Sequence, residues 1–451
     1  MTSFRRSFCA IALSGLMQFV VALPAVQAAP EDDARVENRK GVSQARRGNL
    51  EAALTSFEEA CRVNPFDETA LANLACAHNN LGVLLVKEHK YAEAIRHFEA
   101  SKKQKPEDLQ IRFNLLSARI TMRDSDGAAA EARGIITLRP HDAETILRIS
   151  TAFQKLEDDE SAQQLLEELL SRTPNNSLAL YQLGRLHYRQ GNFAEARYDL
   201  TRSLEVDPKY PEAANLLRRI EREEKVESSF ERDSSVHFNL TFEGVFPREW
   251  AHDLLDLFET AYQKSGDLLG HFPAQRAQVI VYSPADFRRV SDLPGWAGGV
   301  YDGKIRLPVP PGTSSPDQLA GAVFHEYCHH LIFLLTDGAC PTWLNEGLAQ
   351  LMEGLDPQRA RQLLGTGAAA MLTPLEKMDG PFARNATRQQ AERLYAQALV
   401  TVAQLIEDQG VAAIRELLGH LGRKRPLDEA LSMVFNLTLE GLDERVRQSL
   451  D

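Results

Sequence analysis

The chain has 451 residues, a formal net charge of −12 and a hydrophobic fraction of 43%. This length predicts two or three globular domains with cores of their own, and the acidic balance argues against a nucleic acid as partner. The 5 cysteines are too few for a disulfide scaffold, so we expect packing to stabilise the fold. Among them, Cys328 and Cys340 could form a disulfide in an exported protein or remain buried thiols.

Residues 1–28 have the three parts of a secretory signal sequence. Arg5 and Arg6 precede an apolar run over residues 11–23, and Ala28 ends a stretch that fits a cleavage site. We therefore predict cleavage after Ala28 and a periplasmic or secreted protein, with an N-terminal membrane anchor as the alternative. Removing the two arginines would take the net charge from −12 to −14. We expect no membrane span in the mature chain, because no later segment is apolar enough over a sufficient length.

From about residue 34 the sequence repeats itself. Prolines mark the repeats at separations of 41, 34, 34 and 34 residues, with an alanine twelve residues before each: Pro65, Pro106, Pro140, Pro174 and Pro208, then Ala53, Ala94, Ala128, Ala162 and Ala196. This pattern resembles tetratricopeptide (TPR) repeats, which implies helix pairs stacked into a solenoid. We predict about five repeats and a polar capping helix over residues 34–226. The seven extra residues in the second repeat predict a longer first helix or a longer approach loop.

The concave surface of such a solenoid is a candidate groove for a protein partner. Extrapolating the repeat register places these residues along it: Asn79, Val83, Phe113, Ser117, Leu147, Thr151, Tyr181, Arg185 and Tyr188. The alternative is that the array only braces or oligomerises the C-terminal domain.

Residues 227–235 are a predicted linker, and residues 236–451 a second domain. Apolar residues alternate from Val236 to Phe242, which indicates a half-buried strand, and further short strands are predicted at residues 278–282 and 300–309. Helical periodicity predicts these helices: 248–269, 358–364, 389–408, 411–421, 427–435 and 439–450.

An H-E-x-x-H sequence lies in this second domain, at residues 325–329. His325 and His329 fall one turn apart on one helical face, where two imidazoles can bind one metal ion. Glu346 lies on a second predicted helix, and two histidines with one glutamate make a catalytic rather than a structural zinc set. Glu326 borders the metal and is the candidate base that activates water. The alternative is a buried core helix whose histidines are only hydrogen-bonded.

The segment Trp343-Leu-Asn-Glu-Gly-Leu-Ala349 resembles the glutamate-bearing segment of the gluzincin metallopeptidases, and the order of the later helices resembles peptidase-MA-like domains found with TPR arrays. The resemblance implies a short sheet with an edge strand plus helices, one Zn²⁺ held by His325, His329 and Glu346, and Glu326 as the catalytic residue. It also implies that residues 300–307 form the edge strand that pairs with extended substrate. Residues 295–302 lack the glutamate that holds the free amine in aminopeptidases, which favours an endopeptidase.

Three other residues near the motif have candidate roles. Tyr395 is either a donor to the oxyanion or a core residue, Gln350 is expected to orient a histidine ligand, and His330 is expected to point away from the metal.

The predicted fold class of the whole chain is mainly α with a small α+β part, a TPR solenoid followed by a zinc peptidase domain. The predicted function is an exported zinc metallopeptidase that acts on a protein or peptide. The alternative is a TPR adaptor whose peptidase-like domain binds partners without catalysis.

Overall fold

The computed structural model describes residues 33–290, 300–301, 303–309, 313, 315–365, 371–378, 380, 382 and 387–450. The predicted signal sequence and the glycine-rich stretch 294–299 lie outside these residues. The chain divides into two compact units, one ending at Arg119 and the other beginning at Ile120.

The first unit is built from paired helices: α1 Asp33–Arg46, α2 Leu50–Val63, α3 Glu68–Lys87, α4 Tyr91–Gln104 and the greater part of α5 Leu109–Thr121. Glycines let the paired helices cross closely, since a Cβ added at Gly41 or Gly82 would come within 2.6 Å of the ring of Phe57 or Phe98. Helix α3 has 20 residues and α1 has 14. The extra residues of the second repeat therefore lengthen its first helix.

Helix α3 is also the one helix of the described residues that is long and apolar enough to cross a membrane, judged by length and composition alone. In this fold its apolar side chains pack against other helices. Leu74 and Leu81 are buried against neighbouring helices of the first unit. Packing inside the array thus accounts for the composition of α3.

The second unit begins with the remaining helices of the array: α6 Ser125–Leu138, α7 Ala143–Lys155, α8 Asp159–Arg172, α9 Ser177–Arg189, α10 Phe193–Val206 and α11 Pro211–Glu227. The turns before α6 and α8 contain Arg123 and Glu157 in the left-handed region, at φ 59° and 60°. Both residues bind the part of the unit that follows the array. Arg123 Nη2 donates to the carbonyl of Leu334 at 2.7 Å, and Gln275 Nε2 donates to the carbonyl of Glu157 at 2.5 Å.

A five-stranded sheet follows the array, in the order β1-β2-β3-β5-β4. Its strands are β1 Glu231–Ser234, β2 Phe238–Phe242, β3 Ala277–Tyr282, β4 Val300–Tyr301 and β5 Ile305–Pro308. The β2–β3 and β3–β5 pairs are parallel, whereas the outer strands β1 and β4 pair antiparallel with their neighbours. Strand β1 lies within the stretch that the sequence assigned to a linker, because Glu231 to Ser234 find pairing partners in β2.

The predicted single strand at 300–309 is wrong, because the chain turns back between β4 and β5. Gly303, at φ 102°, lies in this turn and supplies a backbone conformation that other residues rarely adopt. At this end of the sheet β4 is therefore the edge strand, and β5 is an inner strand with neighbours on both sides. Only the first two residues of the predicted substrate strand lie at the edge.

Helices α12 Arg248–Leu269 and α14 Ala320–Thr336 pack on one face of this sheet, while the short α13 Pro284–Val290 follows β3. The remaining helices pack against these two and against one another: α15 Thr342–Glu353, α16 Pro357–Leu364, α17 Arg388–Gly422, α18 Leu427–Phe435 and α19 Leu439–Gln448. Ile305 and Leu307 of β5 share one core with Val323 and Tyr327 of α14. The sequence predicted two separate helices over the range of α17, and the non-helical Gly410, at φ 78°, divides α17 into two helical segments at that boundary.

The other face of the sheet packs against α11, the last helix of the array. Lys304 and Arg306, 3% and 1% exposed, point towards α11 because they alternate with Ile305 along the strand. Arg306 Nη2 lies 2.8 Å from Glu223 Oε1, and Arg306 Nη1 lies 3.5 Å from Glu227 Oε1. The helix expected to cap the solenoid is therefore also a packing layer of the second domain.

Candidate metal and catalytic site

Helix α14 places His325 and His329 on the same face, and α15 brings Glu346 opposite them. The Nε2 atoms of the two histidines each lie 3.6 Å from Glu346 Oε2. One donor atom from each of the three side chains lies within 4.8 Å of the others. The structure thus brings together the three residues that the sequence singled out as candidate metal ligands.

The remaining nitrogen of each imidazole is held by a different side chain. His325 Nδ1 donates to Glu353 Oε2 at 3.0 Å, and His329 Nδ1 donates to Asn345 Oδ1 at 3.0 Å. A histidine whose Nδ1 carries the hydrogen presents the lone pair of Nε2. Both Nε2 atoms therefore face Glu346, and two neutral imidazoles with one carboxylate fit the donor set of a catalytic zinc site.

Packing fixes the position of α15 relative to the helices around it. Trp343, Leu344 and Leu348 are at most 1% exposed. Gly347 faces α17, where an added Cβ would come within 2.5 Å of the carbonyl of Ala398. The glycine that follows Glu346 thus permits the close approach of α17, while Glu346 faces the histidines.

The histidines and Glu346 each stabilise the charged form of the other. Burial raises the pKa of Glu346, but His329 and His325 outweigh burial and bring the pKa to about 2. Burial lowers the pKa of His325, but Glu346 and Glu353 outweigh it and raise this pKa to about 10. The metal-free cluster is therefore an ion-paired one, and a cation that binds there has to displace protons from the imidazoles.

Glu326 differs from the other carboxylates of the site. It is 4% exposed, and its Oε2 atom is buried with no hydrogen-bond partner among the residues that the structure describes. Burial raises the pKa of Glu326, although His329 and His325 oppose this. A buried carboxylate oxygen without a partner is costly, and such atoms are concentrated at functional sites.

The predicted role of Gln350 is wrong. Its Nε2 atom donates to the carbonyls of Glu346 and Tyr395, at 3.1 and 2.9 Å, because the amide points towards α17. Glu353, which the sequence analysis did not consider, takes the position beside His325. Its spacing was available as a signal, since seven residues are two helical turns and place Glu353 on the same side of α15 as Glu346.

The other candidate residues surround the cluster. Tyr395 packs edge-on against Phe382, and burial, followed by the charges of Glu346 and Glu326, raises the pKa of its phenol. His330 is buried beside the ring of Tyr327. Cys328 and Cys340 are free thiols.

Three residues predicted to line the groove are instead buried: Phe113, Tyr181 and Tyr188. Tyr181 packs on Tyr210 with ring centroids 4.9 Å apart. The hydroxyl of Tyr188 donates to Glu223 Oε1 at 2.9 Å, inside the contact between α11 and the sheet. Leu147 and Thr151 remain partly exposed on α7.

Comparisons with known proteins agree with this architecture. Models of the tetratricopeptide repeat match residues 79–143 and 155–220, and a model of the Peptidase MA superfamily matches residues 279–451. The chain contains TPR repeats followed by a Peptidase MA superfamily domain. The fold is accordingly mainly helical, with an N-terminal solenoid and one small sheet.

The similar proteins include a bacterial protein, a bovine protein and a solved TPR structure. The cellulose synthase 1 operon protein C of Komagataeibacter xylinus is 27% identical over 193 residues, which are 40% of this chain and 14% of that protein. The BBSome complex member BBS4 of Bos taurus is 27% identical over 183 residues, 38% of this chain and 34% of that protein. The crystal structure of YrrB, a TPR protein with an unusual peptide-binding site, is 17% identical with a TM-score of 0.32, and the match covers 41% of this chain and 92% of YrrB. The matched stretches thus span well under half of the two relatives.

Proposed function

We propose that the protein is an exported zinc-dependent metallopeptidase that cleaves internal peptide bonds and recruits protein substrate through its TPR array. The observation that carries this proposal is the unpartnered Oε2 of Glu326 beside the three converging donors of His325, His329 and Glu346. A core helix with hydrogen-bonded histidines would have no use for a buried carboxylate left without a partner. The predicted leader sequence supports export.

In this proposal His325 Nε2, His329 Nε2 and Glu346 hold the zinc ion. When bound, zinc supplies Lewis-acid chemistry that polarises a peptide carbonyl and lowers the pKa of water. The chain supplies the fixed geometry, since Glu353 and Asn345 hold the Nδ1 atoms of the two histidines. Ligands fixed in this way need little reorganisation when substrate binds.

Glu326 then moves the proton. Its buried Oε2 accepts a proton from the attacking water and later delivers it to the leaving amine. Burial favours this role, because a carboxylate taken out of water is a stronger base than one at the surface. Tyr395 is the candidate donor to the oxygen of the tetrahedral intermediate, since its phenol lies near enough to interact with Glu346 and Glu326.

The edge strand β4 is the candidate partner for extended substrate. It pairs with β5 on one side, and within the part of the chain that the structure describes no strand pairs with its other side, where an added strand could pair. Cleavage of internal bonds is proposed because the segment 295–302 has no glutamate to hold a free amine.

An adaptor that binds partners without cleaving them is the second candidate. Likeness to proteins named for cellulose synthase operons supports it, since TPR repeats are protein-binding modules and the name of a relative does not imply proteolysis. The two candidates make different demands on Glu326. Only the peptidase requires its carboxylate.

Glu326→Gln separates the two functions. This change keeps the shape of the side chain and removes the base, so we expect hydrolysis of N-terminally acetylated peptides to fall by roughly 10³–10⁴-fold while zinc content and folding are retained. Product formation is measured by mass spectrometry, with peptides bearing free N-termini as the second arm. Equal activity of both proteins, or release of N-terminal residues alone, would contradict the proposed endopeptidase; no product from wild-type protein with retained partner binding would favour the adaptor.

A further inference from the structure

Lys304 lies in a cage of aromatic and acidic side chains that the array supplies. It is 3% exposed and directly follows Gly303, in the turn between β4 and β5. Its Nζ lies 3.9 Å from the ring centroid of Tyr188, 4.5 Å from that of Phe193 and 3.5 Å from Glu223 Oε2. We infer that Lys304 is a positioning residue through which the array fixes the edge strand β4 for extended substrate, an inference that rests on the proposed peptidase function.

Three consecutive helices of the array build this cage. Tyr188 is near the end of α9, Phe193 begins α10 and Glu223 is on α11. The rings of Tyr188 and Phe193 are stacked with centroids 6.1 Å apart, and the Tyr188 hydroxyl donates to Glu223 Oε1 at 2.9 Å. The three side chains thus contact one another as well as Lys304. The turn between β4 and β5 inserts an ammonium into a site that the array provides.

An ammonium is an unfavourable group to bury for packing alone. Burial lowers the pKa of Lys304 to about 8, although Glu223 opposes this. An apolar side chain of similar size would fill the same space without loss of hydration. What the ammonium adds is direction, because it is attracted to the faces of two rings and to one carboxylate. These attractions together favour one position of the turn relative to the array.

The position of the turn determines the position of the edge strand. Strand β4 pairs with β5 over two residues, Val300 opposite Arg306 and Tyr301 opposite Ile305. Lys304 directly precedes this short ladder, so the cage holds the ladder at the turn. Strand β4 also contacts α14, the helix of the two candidate ligand histidines. A shift of the turn would therefore move the backbone with which an extended substrate pairs, relative to the candidate metal site.

Peptide hydrolysis by the full chain tests this role through the separation of KM from kcat. The probes are N-terminally acetylated peptides cleaved by the wild-type protein, each in a long form and in a form shortened to the residues beside the scissile bond. We expect Lys304→Met to raise KM for the long peptides by roughly tenfold and to change kcat by less than about twofold, because the edge strand binds substrate whereas Glu326 moves the proton. Short peptides, which cannot pair along β4, should be affected much less.

Two further variants serve as controls for the charge. Lys304→Arg keeps a cation that can lie against both rings and Glu223, so it should raise KM less than Lys304→Met does. Lys209→Met makes the same change at an exposed lysine and should leave KM unchanged. Zinc content should be equal in all of these proteins, since both lysines lie outside the cluster of His325, His329 and Glu346.

Phe193→Leu tests the cage from the side of the array. It keeps an apolar side chain but removes one ring face, so we expect a smaller rise in KM, and no further rise when it is combined with Lys304→Met. Additive effects of the two changes would overturn the assignment of the cage. Thermal unfolding shows whether each variant folds, and Phe193→Leu carries the test if Lys304→Met does not fold.

The outcomes distinguish this inference from the function on which it rests. An unchanged KM in both Lys304→Met and Phe193→Leu, with hydrolysis by the wild-type protein, would overturn the positioning role and leave the peptidase. Equal losses for long and short peptides would also overturn it, because they indicate a general loss of structure. Absence of hydrolysis of any acetylated peptide by the zinc-bound wild-type protein would overturn both.

Discussion

Two clusters of buried charged side chains lie on opposite sides of the sheet. Between α11 and β5, Glu223 and Glu227 are paired with Lys304 and Arg306, and each of the four is at most 8% exposed. Between α14 and α15, the two histidines and Glu346 converge, and beside them Glu326 Oε2 has no partner among the described residues.

The two clusters differ in whether their buried charged groups have partners. In the cluster of α11 and β5, opposite charges balance, and two tyrosine hydroxyls bind the carboxylates: Tyr188 to Glu223 and Tyr282 to Glu227. A balanced network of this kind holds two layers in one arrangement. The cluster of α14 and α15 instead directs three donors towards one point, which is expected of a site that binds something. Burial alone does not distinguish a structural from a functional cluster, whereas the convergence of three donors beside an unpartnered carboxylate oxygen favours a binding site.

Breaking the structural cluster should have the largest effect on folding. Glu223→Gln removes the charge that Arg306 and Lys304 face, so we expect the free energy of unfolding to fall by about 3–5 kcal/mol. Chemical denaturation measures the loss, with the exposed Glu221→Gln on the same helix as a control expected to change stability by less than about 0.5 kcal/mol. A loss for Glu223→Gln no greater than for the control would show that the network is not structural.

Acid should weaken the same cluster in a defined range of pH. Burial raises the pKa of Glu223, but Arg306 and Lys304 outweigh burial and lower it from 4.5 to about 2. Because the pKa in the folded protein is lower, its contribution is complete above pH 4.5 and is lost as the pH falls towards 2. The contribution at stake is about 3 kcal/mol. The stability difference between wild type and Glu223→Gln should shrink over that range, and a constant difference would contradict the assignment.

A change in the groove should leave both clusters intact and have a smaller effect. Thr151 is partly exposed on α7, and arginine there would fill space that a bound segment needs. In the Glu326→Gln background we expect Thr151→Arg to weaken capture of uncut substrate by about tenfold, equivalent to about 1.4 kcal/mol, without changing zinc content. Pull-down from an extract of the source cells followed by titration of the captured protein measures this, and unaltered affinity would place the binding surface elsewhere.

Local sequence patterns predicted most of the helices and the three side chains that converge between α14 and α15. The 34-residue period and the apolar periodicity of α12 depend on contacts between near neighbours, and H-E-x-x-H fixes two donors within one helical turn. The sequence singled out Glu346 because the segment 343–349 of α15 resembles a known glutamate-bearing motif. These features needed no knowledge of how distant segments meet.

Long-range contacts were what the sequence did not reveal. Tyr188 has the register of a groove residue, yet it is buried because α11 and β5 bring Glu223 and Lys304 over it. Strand β5 is an inner strand because the chain reverses near Gly303, which no alternation of apolar residues could show. Gln350 was expected to serve a histidine, but α17 offers its amide a backbone carbonyl instead. In each case a segment far along the chain determines the partner.

Zinc content tests the central claim most directly, because it depends on the convergence of three side chains and not on any choice of substrate. Metal analysis of the purified full chain should find about one zinc per molecule, and His325→Ala or Glu346→Ala, each of which removes one of three donors, should lower the occupancy strongly. Glu326→Gln should keep its zinc. Full occupancy in the first two variants, or none in the wild-type protein, would contradict the claim that this cluster is a metal site.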